Sequence, residues 1–258
     1  LVAGLIPLIH FGTALPLGNG LILWSYDLLF APRPALPSDE ALLIYMDEES
    51  HRALNQTYWQ VWDRRLHARL IDRLTDAGAR VVVMDIVFGD GGDPDATREL
   101  ARAMKEHGNV VIGAEWIFQS AHQGLPSRWE YLPPTSMLDT NTARHGLVHL
   151  HQGTDFGIRE LNIGVGEDGD SGVHYPSLAW AAAAVLPDSA IPRTPPAGWD
   201  PWINYHAPPG TIRHVSYHTA LDPAMVPDRM LKDRAVFVGQ PQQMTGMVGE
   251  TRDSFRTP

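Results

Sequence analysis

Residues 79–88 read A-R-V-V-V-M-D-I-V-F. Arg80 to Val87 is a run of apolar and β-branched residues, too short for a helix and too continuous for a strand with one wet face. Such a run predicts a strand buried on both faces, the kind found in the middle of an α/β sheet. Just upstream, Asp63 can cap a helix that carries Leu66, Leu70, Leu74 and Ala77 on one face, and Gly78 supplies a left-handed stop. At the strand's end Asp85 precedes the turn-forming residues Gly89, Asp90, Gly91 and Gly92. A carboxylate therefore arrives at the sheet edge where α/β proteins place their sites, and function is expected near it.

Working outward, residues 41–46 form a first strand that ends at Asp47 much as the central strand ends at Asp85. Strand, helix and strand in this order make a right-handed crossover with parallel, neighbouring strands, so Asp47 and Asp85 are expected side by side on one edge. Two close carboxylates repel unless a proton, a cation or a basic side chain holds them. Arg64 and His67, at the start of the intervening helix, are the candidate counter-charges, and the four residues together form the candidate ligand site. Asp93-Pro94 opens a second helix with Ala96, Leu100, Ala103 and Met104 on its buried stripe; Gly108 closes it, and residues 109–114 supply a third strand. The pattern is a doubly wound core.

Beyond it, residues 115–144 read as a long surface excursion anchored by Trp116, Trp129 and Tyr131. Residues 147–151 and 160–165 flank a turn at residues 153–157 and predict an antiparallel hairpin. Tyr175-Pro176-Ser177 opens an alanine-rich helix through Ala184, and residues 202–205, 211–216 and 235–238 add strands. The fold class expected is a single elaborated α/β domain over residues 35–258, with a mainly parallel central sheet flanked by helices plus an antiparallel hairpin extension. Residues 1–34 stand apart as a membrane-proximal apolar segment and connector. No charged side chain precedes Asp27, but Pro7, Pro16 and Gly18-Asn19-Gly20 interrupt the run of roughly 20 apolar residues that a membrane span needs. A frayed membrane exit and an ordinary core helix both fit. A chain that begins at Leu1 is expected to be processed or cut from something longer.

The totals exclude whole classes. Thirty acidic against 20 basic residues leave a net charge of -10, which repels a phosphate backbone, so nucleic acid is not an expected partner. The absence of cysteine removes thiol catalysis, disulfides and Cys-based zinc sites together. Asp47 and Asp85, with Asp90, Asp93 and Asp95 close in sequence, are weak candidates for a cation pocket, because Asp93 serves as a helix cap and Asp90 as a turn residue. His149 and His151 alternate along an expected strand and would present two imidazoles to zinc, but no third ligand accompanies them. Residues 164–169 fit G-x-G-x-x-G literally; no helix start follows, and Glu167, Asp168 and Asp170 oppose a pyrophosphate, so a hairpin tip is expected there. No Walker loop, G-x-S-x-G elbow or H-E-x-x-H occurs, and no cofactor is expected.

Taken in order, several blocks resemble the type-two CHASE family of extracytoplasmic sensory domains. They are I-Y-M-D-E-E-S at residues 44–50, W-D-R-R-L-H-A-R-L at 62–70 and V-V-M-D-I-V-F at 82–88. G-L-V-H-L with T-D-F-G-I-R-E follow between residues 146 and 160, then Y-P-S-L-A at 175–179, N-Y at 204–205 and V-F-V-G at 236–239. The chain departs from the family at Trp59-Gln60-Val61-Trp62, where Trp-Pro-Trp is common, and at Gln240-Pro241-Gln242-Gln243, which replaces a glycine-rich pattern. Asp253, Phe255, Thr257 and Pro258 still resemble the closing D-x-F-x-T-P, an ending that lies just before membrane spans in the family. The resemblance implies a domain outside the cytoplasm, tethered to the membrane through flanking helices, with no catalysis of its own. It also implies a cytoplasmic output module such as a nucleotide cyclase, a histidine kinase or a serine/threonine kinase. An unknown small molecule or protein would be the signal, and a homodimer is allowed. The rival expectations are a metal-dependent hydrolase built on Asp47 and Asp85, and a purely structural assembly module.

Overall fold

From residue 41 to residue 119 strands are separated by helices because caps and apolar runs alternate in the sequence. The computed structural model of the protein describes residues 16–30, 32, 38–57, 60–120, 128–139, 142–151, 153, 155, 157–165, 175–186, 189–193, 195–196, 201–205 and 210–241. In chain order the elements are α1 (Pro16–Leu28), β1 (Ala41–Tyr45), α2 (Glu48–Ala53), α3 (Arg64–Asp76), β2 (Val81–Val87) and α4 (Pro94–His107). Next come β3 (Val110–Gln119), β4 (Arg128–Leu132), β5 (Arg144–Leu147), β6 (Gly164–Val165), β7 (Tyr175–Pro176) and α5 (Leu178–Val185). The last are β8 (His214–Ser216), α6 (Tyr217–Ala220) and β9 (Ala235–Gly239).

The expected caps are in place. Asp63 accepts a hydrogen bond from the Arg65 amide at 3.0 Å and starts α3, and Asp93 does the same for Asp95 at 2.8 Å to start α4 with Pro94 in its first turn. Gly108, at φ 81°, ends α4 in the left-handed region that other residues enter only with strain. Ser177 caps α5 through the Trp180 amide.

β2 lies inside the sheet as its composition predicts. Val82 and Met84 face one core with Leu70, Ile71, Leu74, Leu100 and Met104 of α3 and α4, while Val81 and Val83 face a second, smaller core with Val111 and the alanines of α5. Each fully buried aliphatic side chain contributes about 2 kcal/mol, so this two-sided burial holds β2 firmly in the sheet. Six strands run parallel in the order β5-β3-β2-β9-β1-β8, and β4 adds an antiparallel strand along the outer half of β3. The class is the one expected: a mixed α/β domain with a mostly parallel sheet, helices and a small antiparallel hairpin, β6-β7.

Three local expectations are corrected. β1 and β2 are parallel but not neighbours, because β9, 150 residues further along the chain from β2, occupies the slot between them; Val81 to Met84 and Ala41 to Tyr45 both pair with it. Local sequence fixes a strand's burial, not its place in the order. Residues 115–119 and 128–132 are not part of an irregular excursion but pair as an antiparallel arm of β3 and β4, in which Trp116 faces Tyr131 and Phe118 faces Trp129 across the pair; residues 121–127 between them lie outside the described residues. Residues 147–151 and 160–165 do not form a hairpin with each other. β5 ends at Leu147 after pairing with β3, and β6 pairs with β7 across the glycine-rich residues that connect them, in the place expected of a hairpin tip. Residues 202–205 contribute only a single antiparallel bridge, Trp202 to Glu160. Of the apolar opening, residues 1–15 lie outside the described residues. Among the described residues no helix is long and apolar enough to cross a membrane.

Candidate functional site

At the carboxyl ends of β1 and β8, Asp47 spends both oxygens on its surroundings. One accepts from the Ser50 amide at 2.9 Å and caps α2; the other accepts from the Ser216 hydroxyl. Burial pushes this carboxyl up, but the hydrogen bonds from Ser216 and Ser50 and the nearby His218 outweigh it and hold its pKa below the usual range. The Ser50 hydroxyl sits 3.1 Å from His218 Nδ1 and accepts from the His218 amide at 3.2 Å. Serine, histidine and aspartate thus meet without forming a catalytic relay: Ser50 is fully buried, and Asp47 bonds the two serines instead of the imidazole.

Asp85 stands on the opposite side of β9, exposed, with its Cβ closely approached by Gly239. A side chain at Gly239 would meet Asp85 Cβ at 3.3 Å. Because one strand intervenes, the β1 and β2 backbones lie about 10 Å apart, and the side-by-side carboxylates expected from the sequence do not occur. Arg64 and His67 turn into the core instead of serving as counter-charges. Arg64 donates to Thr97 Oγ1 at 2.7 Å and to the Gly89 carbonyl at 2.6 Å, with Asp90 as its electrostatic neighbour. His67 is buried among Trp62, Phe88 and Tyr217, and its Nδ1 shares a 2.9 Å hydrogen bond with the Tyr217 hydroxyl. Burial, reinforced by the Arg64 charge, pushes the His67 pKa down to about 4, so the imidazole is neutral at pH 7. His149 and His151 fall beyond the end of β5 and are exposed; His151 lies 4.0 Å from Glu160. Among the described residues no group of three or more His, Asp or Glu side chains could hold a metal ion.

Two features that sequence reasoning left without a role have the strongest geometry. The first is a clamp on α1. Arg159, only 4% exposed, grips Asp27 of α1 through Nε and Nη2, both at 2.7 Å, and grips Asp155 through Nη1 and Nη2, both at 2.9 Å. The paired arrangement fits the planar guanidinium fork and excludes lysine as an equal. Hydrogen bonds from Arg159 pull the Asp155 carboxyl down to about 2. Gly157 makes the approach feasible, since a Cβ there would sit 2.2 Å from Arg159 Nη1. Around the clamp the Tyr26 hydroxyl donates to the Ile203 carbonyl, Tyr26 packs edge-on against Trp202 at 4.4 Å, and Phe30 packs against Tyr205 at 5.7 Å. Asp27 is the first charged residue of the chain. A lone carboxylate ending so long an uncharged stretch needs a partner, and that signal was available in the sequence.

The second feature is a cavity of about 730 Å3 between β5, the arm strand β4, β7 and the small-residue face of α5. Its size is that of a small-molecule site. Tyr131 and Tyr175 stack at 4.2 Å on one wall, and Leu147, Ala181 and Ala184 line the apolar part. Arg144 and Arg193 line it too.

The sequence model of the CHASE2 domain matches residues 2–258, and the chain belongs to this family of extracytoplasmic sensory domains. CHASE2 domains sense; they are not catalytic domains. No curated protein and no solved structure matches the chain.

Proposed function

We propose that the chain is the input domain of a transmembrane receptor, lying outside the cytoplasm and controlling a cytoplasmic output module, a nucleotide cyclase or a protein kinase. The observation that carries this reading is the match of the whole chain to a family of extracytoplasmic sensory domains. The clamp supports it mechanically. A signal from a domain of this kind must leave through the segments that lead to the membrane, and Arg159, itself braced by two hydrogen bonds to Asp155, ties α1 to the body of the domain by two charge-assisted hydrogen bonds to Asp27. A ligand or partner shifts such a device only by binding its two arrangements unequally.

The membrane enters as a partner through the flanking segments, and a homodimer through α1. Leu21, Trp24 and Leu28 share one face of that helix and are 52–61% exposed, on a helix whose other side is occupied by the clamp. The strand-end residues Asp47 and Asp85, with Arg64 and His67 of α3, support this reading as the framework that orders the loops at the sheet edge. The test is direct: sequence the complete gene and map its topology with a periplasm-active reporter fused at residue 258. A gene without membrane spans and a cytoplasmic output domain, or a reporter silent outside the cytoplasm, overturns the reading.

A further inference from the structure

We infer that the cavity beside β5 is a binding site for a small organic anion, a monocarboxylate carried on a planar apolar body. This deepens the reading of the chain as an input domain, naming the class of ligand that domain would take.

In a chain of net charge -10 carboxylates are plentiful, and several arginines of α3 and α4 pair with them: Arg65 with Asp93 and Glu99, Arg73 with Asp228, and Arg102 with Asp72 and Glu106. Arg144 and Arg193 line the cavity, and their side chains make no hydrogen bond or ion pair with any of the described residues. Arg144 is half-buried and Arg193 exposed, and a bound carboxylate would supply either guanidinium with a partner in the two-pronged geometry the group favours. The acidic groups at the cavity do not fill that role. Asp90 is the electrostatic neighbour of Arg64, and Asp139 accepts from the Thr142 amide and hydroxyl at 3.1 and 3.0 Å. His145 adds no positive charge at neutral pH: burial pushes its pKa down, although its hydrogen bond to the Leu138 carbonyl at 2.7 Å acts against this.

The rest of the lining selects the body of the ligand. The stacked pair Tyr131 and Tyr175, backed by Trp116 at 5.5 Å, offers a flat aromatic wall. α5 contributes Ala181 and Ala184 to the lining, whose short side chains leave space, and Leu147 and Pro176 add apolar surface. Such walls reward a planar hydrocarbon and give inorganic anions nothing beyond the arginines. The position also suits an input site. β5 is the edge strand of the parallel sheet, and the chain leaving it leads within 12 residues to Arg159.

The test is titration calorimetry on the full chain with benzoate, phenylacetate and indole-3-carboxylate, against benzamide, acetate and inorganic phosphate. The expected result is saturable binding of at least one aromatic carboxylate, tenfold or more tighter than benzamide, acetate or phosphate. Arg144→Gln should weaken it at least tenfold, Arg193→Gln by a smaller factor, and Arg98→Gln, on the exposed face of α4, not at all. Ala184→Leu should abolish binding by filling the cavity, with circular dichroism showing the fold retained; Arg144→Gln serves alone if that variant does not fold. Absence of binding by the three aromatic carboxylates overturns the inference, as does benzamide binding equally well or affinity that survives Arg144→Gln unchanged. These outcomes are separable from the receptor reading, which stands or falls on gene organisation and topology.

Discussion

The strand-end cluster around Asp47 and the cavity beside β5 hold the same kinds of side chain, a few carboxylates, histidines and arginines, and use them in opposite ways. In the cluster Asp47 has three residues supporting its charge, His67 has Tyr217, and Arg64 places both terminal nitrogens on acceptors. In the cavity the side chains of Arg144 and Arg193 have no hydrogen-bond or ion-pair partner among the described residues. Polar groups that already hold protein partners keep a structure together, while an unmatched charge facing an open volume has binding capacity left over. Residue type alone does not distinguish the two; the partners do. The Arg159 clamp is the extreme of the satisfied kind, and it is the one placed where the domain meets α1.

The comparison is broken most forcefully at the clamp. Arg159→Ala removes the cation that grips the largely buried Asp27, and breaking a buried pair in this way costs about 3–5 kcal/mol; chemical denaturation should show a loss of that size. A loss below about 1 kcal/mol would mean that the pair does not hold α1 to the body.

Next in size is acid sensitivity from the cluster. His67 has a folded pKa of about 4 against an ordinary value of 6.5, so the unfolded chain takes up the proton first. Its contribution is present above pH 6.5 and is lost as pH falls toward 4, by about 3 kcal/mol at most. Urea midpoints measured between pH 7.5 and 4.5 should fall accordingly, and His67→Leu should flatten the slope. An unchanged slope in that variant would assign the acid sensitivity elsewhere.

Asp47→Ala removes a helix cap and a serine partner and should cost about 1–2 kcal/mol, whereas Asp47→Asn keeps an acceptor and should cost less. Smallest of all, Arg144→Gln in the cavity should leave stability within about 0.5 kcal/mol of wild type, because no side-chain hydrogen bond or ion pair to a described residue is lost. A destabilisation as large as that of Asp47→Ala would show that Arg144 is structural and erase the contrast between the two regions.

Much of this architecture was legible locally. The run at residues 81–87 is apolar at successive positions, and only a strand buried on both faces needs that; Asp63 and Asp93 announced α3 and α4 because a short carboxylate before an apolar stripe has a specific task at a helix start. Strand order was not legible. β9 enters between β1 and β2 from near the far end of the described chain, and nothing in residues 41–87 encodes that insertion. With it went the expected meeting of Asp47 and Asp85. The β3-β4 arm was hidden because its apolar residues are exposed aromatics, Phe118 and Trp129 among them, which pair with each other across the arm instead of entering a core. The cavity was hidden for a related reason: Tyr131, Arg144, Tyr175 and Arg193 lie far apart in sequence, and only the sheet edge and α5 bring them together.

On the proposed reading, the domain acts on α1 through Arg159. The most direct measurement is the basal output of the complete receptor in membranes for wild type, Asp27→Asn and Asp155→Asn, with expression and folding matched. Asp27 belongs to α1 whereas Asp155 is a local partner four residues from Arg159, so the two substitutions remove similar charge but only the first loosens the tie to the helix. The account predicts a several-fold change in output for Asp27→Asn and a smaller one for Asp155→Asn. Equal output from wild type and Asp27→Asn would contradict it.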